Sequence, residues 1–218
     1  MQLCFILFYR QKAITMEITP RQLEIIEATG KILTATGANG LTIKNLAKEM
    51  QFSESAIYRH FASKEEIIIM MLKYLRNNII EILSTLKKTG DVERDFRTFF
   101  NKLSQYFKEN PYYVVVVFSE GLMDESDKIN DEIYGLMTST SSYLEPILRE
   151  GQKQGIFIPS VSSDELTMIS IATFKLHMFN WKFYKFNYNL SENIGKMSTS
   201  LLTLFVGCTK NPGDRPIF

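Results

Sequence analysis

At 218 residues, with an apolar share of 45% and a formal charge of +1, the chain can bury a substantial core, and it is not a general polyanion binder, which would be far more basic. Affinity for nucleic acid must then come from local placement of charge. The two cysteines, Cys4 and Cys208, lie near opposite ends without metal-ligand spacing; a reduced cytoplasmic chain is the simplest reading, and a disulfide between them stays open.

Residues 1–16 carry an apolar run from Leu3 to Tyr9, too short to span a bilayer and without the basic start and cleavage site of a signal peptide. A disordered extension, or a start-site artefact with translation from Met16, is favoured over an ordered packing arm. The first helix is expected from Pro20 to Thr36, because Thr19 is a good cap, Pro20 suits the first helical position, and Gly37 and Gly40 flank the exit.

Leu41 to Glu66 reads as two short helices joined by a tight turn, followed by the start of a third. Thr42, Ser53 and Ser63 are the caps, and Ile43, Leu46, Ala47 and Met50 recur at helical spacing. A turn centred on Gln51 and Phe52 separates the pair, and Ala56, Ile57 and Phe61 supply the buried side of the second helix. Helices this short bury no core alone. Their apolar sides must dock on neighbours, which leaves the polar face of the second helix outward, the plan of a helix-turn-helix. Glu54, Ser55, Ala56, Tyr58, Arg59 and His60 face out. Lys44, Glu54, Ser55 and Ala56 are expected nearest base edges, and Thr42, Ser53, Tyr58, His60 and Lys64 at phosphates.

These residues resemble the TetR (tetracycline repressor) and AcrR-like family of bacterial regulators. The resemblance is carried by Thr42, by Leu46-Ala47, and above all by Ser53-x-x-Ala56-Ile57-Tyr58-x-His60-Phe61-x-Ser63-Lys64-Glu65, and it covers about a quarter of the chain, from Thr19 to Leu75. One departure is Gln51, where the family usually has Gly; a turn shaped a little differently is expected.

The helix from Ser63 keeps an apolar stripe through Ile68, Leu72, Leu75, Ile79, Ile82 and Leu86 to the neighbourhood of Thr89-Gly90, and it is expected to connect two domains rigidly. From Asp91 the chain reads helical throughout. Phe96, Phe99, Phe100, Leu103 and Phe107 form one apolar face. Val114 to Val117 is a strand former by propensity, but without a partner strand nearby it is expected to be a buried helix. Gly121 to Asp131 is expected as an acidic loop or broken helix, Ile133 to Gly151 as a helix interrupted at Pro146, and Gly155 to Pro159 as a connector.

Two last helices, about Ser163 to Phe186 and Ser191 to Val206, are rich in apolar residues. Leu166, Ile169, Ala172, Leu176, Phe179 and Phe183 in the first, and Ile194, Met197, Leu201, Leu204 and Phe205 in the second, form heptad-spaced seams. These, with Leu166, Ile169, Phe179, Phe183, Met197, Leu201 and Phe205 foremost, are expected to form a dimer interface resembling half of a four-helix bundle, with an internal core as the alternative. Aspartate at Leu201 is therefore expected to break the dimer. Beside the seam, Ser170, Thr173, His177, Asn180 and Tyr184 make an uncharged polar stripe. With Phe96, Phe100, Val117 and Met137, the residues Ser170, Thr173 and His177 are candidates to line a small-molecule pocket. Equally open is that the polar groups satisfy one another and backbone carbonyls.

No phosphate loop, zinc-binding His pair or nucleophile elbow occurs, and Asp124, Glu125 and Asp127 read as a solvated cluster, so no enzyme, metal or cofactor is expected. The fold expected is all-α: a three-helix head with the helix-turn-helix, a long connecting helix, and a helical ligand-binding and dimerisation domain. The divisions are an extension at 1–16, the DNA-binding domain at 17–76, the ligand-binding and dimerisation domain at 77–208, and a tail at 209–218. The resemblance implies a cytoplasmic homodimeric repressor, released from palindromic double-stranded DNA by a small hydrophobic effector. A constitutive DNA-binding or architectural protein without such an effector is the second reading.

Overall fold

A computed structural model describes residues 18–119, 122 and 126–206; the extension 1–16, the tail 209–218, both cysteines, Asp124 and Glu125 lie outside these. The described residues are helical, with α1 (Pro20–Thr36), a 3-10 turn (Ala38–Gly40), α2 (Ile43–Met50), α3 (Glu54–Tyr58), α4 (Lys64–Ser84), α5 (Val92–Glu109), α6 (Tyr112–Val117), α7 (Asp127–Lys153), α8 (Ser163–Phe183) and α9 (Leu190–Val206). The chain divides into two compact units. The first comprises the described residues up to Thr85 together with Asn110–Ser139, and the second comprises Leu86–Glu109 and the described residues from Thr140. The segment Asn110–Ser139, which the sequence reading placed in its C-terminal domain, thus belongs to the compact unit of the head.

In the first unit α1 packs against α2, α4 and α6. Its start is a capping box: the Thr19 hydroxyl accepts from the Gln22 backbone N–H at 3.2 Å, and the Gln22 side chain accepts from the Thr19 backbone N–H at 3.0 Å. Gly30 lets α6 approach, because a Cβ there would lie 2.7 Å from the Tyr112 ring. The four valines do form helix α6, and three of them are buried. Burial against other helices outweighs their strand propensity, since no strand among the described residues offers a ladder. Helix α4 ends at Ser84, more than a turn and a half before Gly90, the glycine expected to stop it. The Ser84 and Thr85 hydroxyls donate to the carbonyls of Glu81 and Ile82 at 2.7 Å each, and Lys87 and Lys88 beyond are exposed. The buried stripe of α4 finishes on Leu83, while Ile82 and Leu86, expected to extend it, are half-buried.

α7 runs unbroken from Asp127 through Pro146 to Lys153. Pro146 carries no N–H to donate to the carbonyl of Ser142, an exposed residue one turn before it. In the first unit, Glu132 of α7 pairs with Arg76 at 3.3 Å and with Lys73 at 3.8 Å, both from α4.

The second unit is built on α9, which packs against α5 and α8. Its centre is aromatic: Phe96 and Phe99 each meet Phe100 edge-on at 5.0 Å, and Phe100 meets Phe174 at 5.3 Å. Gly151 is required by contact, because a Cβ there would sit 2.1 Å from the Phe157 ring. The connector after α7 is held by the Gln152 side chain, which donates to the carbonyls of Ile158 and Val161, and by the Ile158 N–H, which donates to the Phe205 carbonyl at 2.7 Å. α8 stops at Phe183, three residues before the expected end; Lys185 and Phe186 take left-handed φ of 51° and 64°, and the Phe186 N–H donates back to the Trp181 carbonyl at 2.8 Å.

Gln51 is itself left-handed (φ 56°, ψ 39°), and the Phe52 N–H donates to the Ala47 carbonyl at 2.8 Å, the backbone pattern that glycine usually serves at a helix end. A side chain in that region costs roughly 1 kcal/mol. Gln51→Gly is therefore expected to stabilise the protein by up to about 0.5 kcal/mol, raising the melting temperature by a degree or two, after the entropy of glycine is subtracted. Differential scanning calorimetry checks it; a lower melting temperature means that the Gln51 side chain makes a compensating contact.

Candidate nucleic-acid interface

The reading face is assembled by caps. The Thr42 hydroxyl accepts from the Asn45 N–H at 3.0 Å and the Asn45 side chain donates to the Gly40 carbonyl at 2.8 Å, which sets the start of α2. The Ser53 hydroxyl accepts from the Ala56 N–H at 3.2 Å and lies 2.9 Å from the Ser55 hydroxyl, which sets the start of α3. The Ser63 hydroxyl accepts from the Glu66 N–H at 3.1 Å, and the Glu66 carboxylate accepts from the Ala62 N–H, which sets the start of α4. Leu46, Ala47, Ile57, Phe61, Ile67 and Ile68 are buried beneath. The apolar side of each short helix is thereby consumed, and the polar side can only face out.

Of the ten residues proposed to meet DNA, Thr42, Lys44, Ser53, Glu54, Ser55, Tyr58 and Arg59 are exposed, while Ala56, His60 and Lys64 are half-buried. Tyr58 is a large ring on a five-residue helix yet half of its surface is open to solvent. The His60 backbone carbonyl accepts from the Gln22 side chain at a long 3.4 Å, which ties the end of α3 back to α1. Arg21 was not singled out from the sequence; its guanidinium lies over the Phe52 ring, 5.0 Å from the centroid, in the turn that precedes α3.

The ligand candidates are distributed differently from the expectation. Val117 and Met137 belong to the first unit and are half-buried, whereas Phe96, Phe100, Ser170, Thr173 and His177 belong to the second. Phe96, Phe100 and Ser170 are wholly buried. The Ser170 hydroxyl donates to the Leu166 carbonyl at 2.7 Å and that of Thr173 to the Ile169 carbonyl at 2.8 Å. His177 Nδ1 lies 2.8 Å from the Tyr188 hydroxyl, and burial pushes the imidazole below and the phenol above their ordinary values. Tyr184 is exposed and stacks on Tyr188 with the rings 6.2 Å apart. Ser170 and Thr173 are thus bonded along their own helix and His177 to Tyr188, hydrogen bonds of the kind the second of the two possibilities requires. A recess of about 530 Å³ in the second unit is lined by Asn101, Ser104, Gln105, Lys108, Glu109 and Ser191, none of them a candidate from the sequence.

The proposed dimer seam needs revision too. Leu166, Met197, Leu201 and Phe205 are buried within their own protomer and leave the set. Their spacing is right for a seam, but it is the seam that holds α8 and α9 to the rest of the unit. Ile169, Leu176, Phe179, Phe183 and Leu204 of the expected seam remain exposed, joined by Met168, which was not among its residues.

Comparison with known proteins agrees with this geometry. A family model described as "Bacterial regulatory proteins, tetR family" matches residues 25–71, the stretch that includes α2 and α3. The nucleoid occlusion factor SlmA of Vibrio campbellii is 28% identical over 137 residues, 61% of this chain and 68% of that protein. Among solved structures, the TetR family transcriptional regulator PfmR of Thermus thermophilus superposes with a TM-score of 0.70 at 22% identity, covering 82% of this chain and 96% of that one. The transcriptional regulator FadR of Bacillus subtilis, solved in complex with stearoyl-CoA, superposes with a TM-score of 0.71 at 18% identity, covering 83% of this chain and 97% of that one. With residues 25–71 matched to the tetR family model in sequence and its helices matched in space, the chain carries a helix-turn-helix head similar to that of the tetR family of bacterial regulatory proteins, the head of a DNA-binding transcriptional regulator.

Proposed function

We propose that the protein is a cytoplasmic homodimeric repressor that reads a palindromic operator and is released by a small hydrophobic effector. The observation that carries the dimer is the surface of α8. One side of that helix, with Leu166, Ile171, Phe174, Met178 and Trp181, is buried in its own unit. The opposite side exposes Met168, Ile169, Leu176, Phe179 and Phe183. A helix apolar on both sides needs cover on both. A second copy related by a twofold axis supplies it and sets two reading heads at half-sites about 34 Å apart, as a palindrome requires.

On each head, Glu54, Ser55, Ala56 and Lys44 serve as base readers, and Thr42, Ser53, Tyr58, Arg59, His60 and Lys64 hold the backbone. Glu54 tests this division, because a carboxylate beside DNA is repelled unless it accepts from cytosine N4. Glu54→Ala is expected to relax sequence preference at one position while affinity changes little; Lys64→Ala is expected to weaken all duplexes alike and lower the salt slope by about one per protomer. In vitro selection of duplexes followed by salt titration measures both. Equal loss of specificity from the two changes refutes the assignment.

Support for a hydrophobic effector comes from the stearoyl-CoA held by the structural relative FadR and from the aromatic interior of the second unit. A ligand releases DNA only by binding the released state more tightly, and a tenfold effect needs about 1.4 kcal/mol of coupling. Stearoyl-CoA added to the protein on its selected duplex is expected to lower DNA affinity. One observation favours a second reading, constitutive DNA binding without an effector: the relative SlmA is named a nucleoid occlusion factor. If neither acyl-CoA nor any ligand that co-purifies in native mass spectrometry alters DNA binding, that second reading stands.

A further inference from the structure

The first turn of α1 is an unfavourable place for a lone cation, because the positive end of the helix dipole repels it, and α1 has no acidic residue in that turn. Arg21 nevertheless sits there. Its guanidinium lies over the Phe52 ring at 5.0 Å and pairs with Glu24, one turn along the same helix. Both members of that pair remain about half exposed. Phe52 is the residue immediately before Ser53, whose hydroxyl caps α3 and touches the Ser55 hydroxyl. Gln22, the next residue of α1, reaches the His60 carbonyl just beyond α3. Two consecutive residues of α1 therefore clasp the recognition helix before and after it. With the side chain about half exposed, the N–H groups not turned to Glu24 stay open to solvent, and a guanidinium can capture a phosphate with two parallel hydrogen bonds.

We propose that Arg21 is a backbone-anchoring residue of the interface, which binds a DNA phosphate beside the one met by Ser53 and fixes the entry of α3 into the groove. The proposal rests on the DNA-binding assignment of that face and adds a contact from outside the helix-turn-helix. Glu24 then has a defined effect: it competes for the guanidinium and restrains affinity for non-specific duplex.

The test uses the full-length protein and a duplex recovered by in vitro selection with wild type. Binding is measured across salt concentrations for Arg21→Gln, Arg21→Lys and Glu24→Gln, with circular dichroism and melting temperature as controls. Removing one phosphate contact lowers the salt slope by about 0.9 per protomer, so Arg21→Gln is expected to show that drop with a roughly tenfold loss of affinity near 0.1 M salt. Arg21→Lys is expected to keep the slope and recover part of the affinity, because the charge remains and the planar fork does not. Glu24→Gln is expected to tighten binding several-fold. A purely structural clasp moves the melting temperature and leaves the slope alone, so a wild-type slope in Arg21→Gln overturns the proposal. Should Arg21→Gln fail to fold, Glu24→Gln decides, and affinity equal to wild type overturns it. Failure of wild type to select any duplex instead refutes the assignment of the whole face.

Discussion

Leu176→Asp is expected to convert a dimer into folded monomers. Leu176 is 57% exposed in the protomer and sits midway along the outward stripe of α8, between Ile169 and Phe183. Covering a Leu or Phe side chain fully is worth about 1.5–3 kcal/mol, so the stripe and its symmetry mate supply enough to offset the cost of association. A carboxylate placed there must be buried without a partner, at several kcal/mol per protomer, and the twofold axis brings two of them into the same interface. The dissociation constant should rise by at least a thousandfold, and operator binding should fall with it, because each monomer retains one reading head. Sedimentation at micromolar concentration reads the first effect and circular dichroism verifies the fold. Leu201→Asp, which the sequence alone nominates for the same purpose, is expected to behave differently: Leu201 is only 5% exposed, so the charge enters the protomer core and unfolds it. A dimeric Leu176→Asp, or a folded and monomeric Leu201→Asp, moves the interface to the side of Leu201.

Phe100→Ala should destabilise the second unit by about 3–5 kcal/mol, the usual cost of removing a buried ring and leaving a cavity. Phe100 is fully buried and touches Phe96, Phe99 and Phe174, so three rings lose a partner at once. Trp181, the only tryptophan of the chain, is buried in the same unit and reports its unfolding by fluorescence. Urea titration should shift the midpoint strongly downward. A cost below about 1 kcal/mol would mean that Phe100 already borders empty space and would restore it as a wall of an effector cavity, because the cavity component of the penalty would then be absent.

How far such features were legible depends on whether a residue's role is local. The boundaries of α1 follow from Thr19, Pro20 and Gly37, and the caps at Thr42, Ser53 and Ser63 follow from a hydroxyl placed three residues before an N–H that lacks a helical partner. Gln51 was expected to reshape the turn between α2 and α3, yet it takes the left-handed conformation that glycine usually serves, because the tight connection requires that backbone whatever the residue. The clasp of Arg21 on Phe52 was not legible, because it joins residues 31 positions apart. The polar stripe of α8 was visible as a pattern, but whether its hydroxyls turn to a ligand or to their own carbonyls depends on rotamers that no spacing specifies.

By itself the sequence determined what short-range chemistry controls: an all-helical chain, the start of each short helix, and a reading face whose apolar underside can only point inward. The tertiary structure decided what required knowing which of two apolar faces a helix buries. On α8 both Leu166 and Ile169 satisfy the same helical period, yet the first is buried and the second exposed. Hydrophobic burial is non-directional, so periodicity states that a face will be covered without stating by what. Only the packing of α9 and α5 in the same unit assigns one side of α8 to the protomer core and leaves the other outward.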